Sequence, residues 1–195
     1  MVRGDYLTQY ASIIGECLED LLKRPVLEVA IRQRAKFEGW LKIELAYALE
    51  KRGASVKLEA ELPREQNDQG LRVRADIQAK FPGDYISYIM IKANNTNFRF
   101  PDIVSYHRPI TKNITKTIED LDKLRPISDR AIPFVVFPFF PVAASAEKRL
   151  EQVSMHLTRL LENGRLVKEG FVIPPSSSGD WGIAWYIVSP IVLTE

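Results

Sequence analysis

Two stretches that alternate apolar with polar residues, 55–62 and 71–81, constrain the fold of this chain more than any other feature. The first sets Val56, Leu58, Ala60 and Leu62 against Lys57, Glu59 and Glu61. The second sets Leu71, Val73, Ala75, Ile77, Ala79 and Phe81 against Arg72, Arg74, Asp76, Gln78 and Lys80. A period of two is that of a half-buried strand. A polar loop over 63–70 separates the two, and Pro82, Gly83 and Asp84 turn the chain into a third strand over 85–94. The three strands form an antiparallel meander.

Helices surround it. Residues 5–23 read as an amphipathic helix stopped by Pro25, and 26–52 as a second helical stretch that ends at Gly53, with 34–38 as the place where it would break. Pro109 suits a first helical position, followed by Ile110, Ile114, Ile118, Leu121 and Leu124 at helical spacing. Phe134 to Phe137, between Pro133 and Pro138, has no polar face and reads as a strand covered on both sides. Residues 145–163 form another amphipathic helix with Gly164 beyond its end, and 171–173 and 181–188 supply the last strands. The expected fold class is α/β, a central mixed sheet flanked by helices, in a single domain over 1–195.

Composition removes several classes. With 46% hydrophobic and 27% charged residues the chain is neither disordered nor fibrous. No apolar run approaches the ~20 residues of a membrane helix, and the first 25 residues lack the pattern of a signal peptide, so a cytoplasmic protein is the expectation. The lone Cys17 and the two separated histidines, His107 and His156, offer no zinc spacing; Cys17 falls in helical phase with Ile13, Ile14 and Leu21 and reads as core. A net charge of +2 neither requires nor excludes a nucleic-acid partner.

One carboxylate is out of place. At about 100° per residue, Phe37, Trp40, Leu41, Leu45 and Ala48 share an apolar arc with Glu44 near its middle. An unpaired buried carboxylate costs several kcal/mol, so Glu44 is expected to be neutralised, paired, or turned toward a use. A break at Gly39 would change the phase and make Glu38 the substitute.

Glu44 on the helix before the meander, Asp76 on its second strand and Lys92 on its third resemble the PD-(D/E)XK, restriction-endonuclease-like, nuclease superfamily. The resemblance covers residues 37–94 by motif and the remainder by element order, with a nuclease-like core over about 26–164 on which the N-terminal helix and C-terminal strands pack. It implies a protein acting on nucleic acid, DNA in the first instance, by divalent-metal-dependent phosphodiester hydrolysis. It also implies a site in which Asp76 binds Mg²⁺ or Mn²⁺ directly, Glu44 binds it through water or holds a second ion, and the backbone carbonyl of Ile91 completes the set. Lys92 would orient water or stabilise phosphate charge. Such an ion neutralises phosphate and makes water nucleophilic near neutral pH.

The chain departs from the pattern at Met90, which stands where the family has its second acid. A thioether has little affinity for Mg²⁺, so a weak metal site is implied unless Gln78, Glu61, Asp102 or Glu44 approaches the gap. The alternative is a catalytically inactive nuclease-fold module that binds DNA or a protein partner. Register discriminates: a two-residue turn pairs Asp76 with Ile89 and sends Lys92 to the opposite face, whereas a three-residue loop of Pro82, Gly83 and Asp84 pairs Asp76 with Met90 and keeps Lys92 on the same side. Arg99, Arg108, Lys112, Lys116 and Asn94, on and after the third strand, suit phosphate oxygens and equally a solvated loop and helix face. Tyr85, Tyr88 and Tyr106 suit base stacking but more readily packing; Trp181, Trp185 and Tyr186 read either as core or as a homodimer surface.

Overall fold

A computed structural model of the chain describes residues 3–63, 73–104, 110–125, 130–175 and 177–190. The elements are α1 (Arg3–Leu22), α2 (Pro25–Arg32), α3 (Glu38–Lys51), β1 (Ser55–Glu61), β2 (Arg74–Lys80), β3 (Ile86–Ile91), β4 (Asn94–Asn95), α4 (Ile110–Leu124), β5 (Ala131–Ala143), α5 (Ala146–Leu161), β6 (Gly164–Val172) and β7 (Trp181–Pro190). Seven strands form one mixed sheet in the order β1-β2-β3-β5-β7-β6, with the short β4 paired to β5. The β3–β5 pairing is parallel, while β1–β2, β2–β3, β5–β7 and β6–β7 are antiparallel.

Alternation along β5 divides the molecule into layers. Phe134 and Val136 join Ile77, Ile89, Ile91, Trp185 and Ile187 beneath α1, α2 and α3. Val135, Phe137 and Phe139 join Tyr88, Met90, Tyr186 and Val188 beneath α4 and α5. Every residue of β5 is buried, as expected for a strand covered on both faces.

The prolines do not bound β5 as the sequence suggests. Pro133 sits opposite Tyr88 and Pro138 opposite Trp185 within a 13-residue strand. A register shift between Phe139 and Val142 takes in Pro141, the usual way a strand admits a residue with no N–H. The C-terminal hairpin is likewise longer than 171–173 and 181–188. Gly164 opens β6 instead of merely ending α5, and the position requires glycine because a Cβ there would lie 2.3 Å from Val188 Cγ1. Trp181 and Trp185 are fully buried and Tyr186 is 5% exposed, so this aromatic group is core and not a dimer surface. Cys17 is core as well. Tyr88 is buried and Tyr85 packs on Tyr6 at 4.8 Å, while Tyr106 lies outside the described residues. Among the described residues no helix is long and apolar enough to cross a membrane.

Candidate active site

Helices α2 and α3 are separate. The helical stretch expected over 26–52 ends at Arg32, passes through Arg34 at φ 54°, and restarts at Glu38. This break changes which carboxylate faces inward. The buried face of α3 is Leu41, Leu45, Ala46 and Leu49, and Glu38 precedes Leu41, Leu45 and Leu49 by three, seven and eleven residues, in phase with them. Glu44 falls on the flank, its side chain 27% exposed, in an ion pair with Arg24. The Glu44 assignment is therefore corrected. The arc drawn through Trp40 and Ala48, both only partly buried, left out Ala46 and Leu49, which draw the buried centre away from Glu44.

The meander has the register that brings its two motif residues together. Ile77 pairs with Ile89, Gln78 with Tyr88 and Ala79 with Ser87, so Pro82, Gly83 and Asp84 form a three-residue connection, and one further step sets Asp76 opposite Met90. The ladder stops there. Asp76 Oδ2 instead accepts the Ile91 N–H at 2.8 Å, a side chain taking the place of a strand carbonyl where β2 and β3 part. Glu38 does the same from α3, its Oε1 accepting the Ala93 N–H at 2.9 Å just past the end of β3. Both carboxylates are thus fixed by backbone donors next to Lys92.

Glu38, Gly39, Lys42, Asp76, Ile91 and Lys92 line one cavity of about 200 Å³. Lys42, one helical turn beyond Glu38, was not singled out by sequence. Its Nζ hydrogen-bonds Glu59 and lies 3.7 Å from Asp76 Oδ1. Lys92 Nζ lies 3.1 Å from Oδ2 of Asp120 on α4, whose Oδ1 takes Lys123 at 2.7 Å. Asp120 was also missed, because helix phase marks it as a buried position without showing what it meets. Ile91 lines the cavity and its N–H donates to Asp76, while a metal-binding role for its carbonyl stays with the resemblance.

The charges are tuned by these contacts. Burial raises the pKa of Asp76, against the opposing pulls of the Ile91 N–H and Lys42. For Lys92 burial acts to lower the pKa, yet the charge and hydrogen bond of Asp120 outweigh it, and the ammonium is held above the ordinary lysine range. The Glu59 hydrogen bond chiefly raises Lys42. Because the folded pKa of Asp76 is raised, its contribution to stability is complete below the unfolded carboxylate value and is lost as pH rises through the folded one. Asp76→Asn is accordingly expected to stabilise the fold at pH 7, by about 0.5–1 kcal/mol, with the gain closing as pH falls into the carboxylate range. Urea unfolding of both proteins at pH 4 and pH 7 measures this, and a destabilised Asn variant at pH 7 would contradict it.

Other predicted residues lie elsewhere. Asp102 accepts Trp181 Nε1–H at 2.9 and 3.1 Å, Glu61 faces Arg74 at 3.9 Å, and Gln78 sits between Lys57 and Tyr88, so none of the residues considered for the second-acid gap lines the cavity. Met90 is buried beneath α4 and α5. Asn94 is fully buried and donates to the Lys92 carbonyl at 2.9 Å, which rules out the predicted surface contact with nucleic acid; it belongs to β4, which pairs with β5 in the sheet. Arg99, Lys112 and Lys116 are exposed, and Arg108 lies outside the described residues.

No family model, curated protein or solved structure matches this chain.

Proposed function

We propose that this chain is a PD-(D/E)XK-like protein acting on nucleic acid, by divalent-metal-dependent hydrolysis of DNA phosphodiesters at Glu38, Asp76 and Lys92. The observation that carries this reading is the meander register, which puts an acid and a lysine of neighbouring strands into one cavity with a helix carboxylate. Two carboxylates are hard oxygen donors of the kind Mg²⁺ and Mn²⁺ prefer. Each has one oxygen held by a backbone N–H and so keeps a second oxygen for an ion. The donor set fits in kind and is small in number, since among the described residues no three His, Cys, Asp or Glu side chains gather as a metal-binding group. Water and phosphate oxygens would supply the remainder, as is usual for Mg²⁺.

The ion, when bound at Glu38 and Asp76, neutralises phosphate charge and lowers the pKa of water. The protein's own contribution is position and charge. The Ile91 and Ala93 N–H groups fix the two carboxylates. Lys92, kept protonated by Asp120, presents an ammonium to a phosphate oxygen or to the attacking water. The exposed Arg99, Lys112 and Lys116 serve as sequence-independent phosphate contacts.

A second reading, an inactive module that binds DNA or a protein partner, is favoured by Met90 and by the ammonium already near Asp76. One assay separates them. Supercoiled and linear DNA are incubated with protein in Mn²⁺ beside an Asp76→Ala control: cleavage lost in the variant supports hydrolysis, and salt-sensitive binding without cleavage supports the inactive module.

A further inference from the structure

We infer that Lys42 is a stand-in cation, its ammonium neutralising Asp76 until a divalent ion displaces it, so that this side chain sets the metal affinity of the site. The inference rests on the metal-dependent reading above. Oδ2 of Asp76 is committed to the Ile91 N–H, which leaves Oδ1 as the oxygen for a cation, and Lys42 Nζ lies 3.7 Å from it. The other cavity lysine is held elsewhere, at 3.1 Å from Asp120. Lys42 therefore supplies the nearest positive charge to the one metal-facing oxygen of Asp76.

Lys42 is also built to leave. Its hydrogen-bond partner is Glu59 on the edge strand β1, whose side chain is 52% exposed, while Lys42 itself is 22% exposed. The ammonium can withdraw from Asp76 toward Glu59 and solvent without losing that partner. A divalent ion arriving at Oδ1 meets a unit charge a few ångströms away, where repulsion is strong even in a partly wet cavity. This explains how two carboxylates and two lysines share one small cavity without unpaired buried charge. It also makes the metal site weaker by electrostatics than its oxygen donors alone would give.

Calorimetric titration of Mn²⁺ into the full chain tests this without a readout of catalysis. Lys42→Met is expected to tighten Mn²⁺ binding roughly tenfold or more, and Lys42→Arg, which keeps the charge, to leave it near wild type. Lys57→Met, which removes an exposed lysine from the same neighbourhood, should change it little. Equal affinity in wild type and Lys42→Met, with binding lost in Asp76→Asn, overturns the inference and leaves the metal-dependent reading standing. No saturable Mn²⁺ binding in any of these proteins overturns both. Circular dichroism of each variant guards against misfolding, and a weakened but folded Lys42→Met also counts against the inference.

Discussion

Replacing Arg34 with alanine is expected to cost about 3–4 kcal/mol, among the largest losses any single substitution outside the apolar core will produce. Arg34 is 9% exposed, and its guanidinium donates from Nε to the Val104 carbonyl at 2.9 Å, from Nη1 to Asn95 Oδ1 at 3.2 Å and the Thr96 carbonyl at 2.7 Å, and from Nη2 to the Phe98 carbonyl at 2.7 Å. It thereby ties the α2–α3 break to the segment that follows β4. Removing it strands buried acceptors, and for a chain of this size the melting temperature should fall by roughly 10 °C. Arg34 also sits at φ 54°, in the left-handed region that favours glycine. Arg34→Gly removes that strain, so a loss nearly as large in Arg34→Gly places the effect in the guanidinium. A loss under about 1 kcal/mol in both variants would contradict this account of the segment.

The second large effect concerns Lys92. Lys92→Met removes the one cavity ammonium that is fixed by a buried acid, and under the proposed hydrolytic function cleavage should drop by about 10²–10⁴-fold. Asp120→Asn is subtler because Asp120 acts through Lys92. With its counter-charge gone, burial is opposed only by the weaker pulls of Glu38 and Asp76 and the Lys92 pKa falls, so the alkaline limb of the cleavage profile should move to lower pH while the rate near neutrality changes less. The same pairing affects stability. The raised pKa of Lys92 means that its stabilisation is complete below the unfolded lysine value and is lost as pH rises through the folded one. An Asp120→Asn variant with an unmoved alkaline limb would show that Asp120 merely packs beside the site.

The meander was legible because burial on a sheet is recorded with period two, and turn length then fixes which residues meet. The three-residue connection at Pro82, Gly83 and Asp84 was one of two registers the sequence allowed, and only the strand pairing distinguishes them. Phe134 to Phe137 was read correctly as covered on both faces, but not the extent of β5, since its prolines are accommodated by a register shift that no local pattern announces. Glu44 was misplaced for a related reason. An apolar arc marks a helix face but not its centre, and the signal that singles out Glu38 is its phase with Leu41, Leu45 and Leu49 once the helix starts at Glu38.

What the sequence lacked were long-range polar partners. Lys92 meets Asp120 across 28 positions and Arg34 meets carbonyls 62 to 70 positions away, and neither spacing has a periodicity to reveal it. Lys42 differs in being visible in principle, one turn after Glu38 on the same face, once Glu38 is known to point into the cavity. Asn94 errs the other way. Its polarity suggested a surface contact, yet it is consumed inside the fold, holding the Lys92 carbonyl.

The most direct measurement is nicking of supercoiled plasmid in Mn²⁺ by Glu38→Ala and Glu44→Ala beside the wild type. The convergence of Glu38, Asp76 and Lys92 on one cavity predicts that Glu38→Ala is inactive and Glu44→Ala, which loses only a partly exposed ion pair, is near wild type. Activity retained without Glu38, or lost without Glu44, would contradict it.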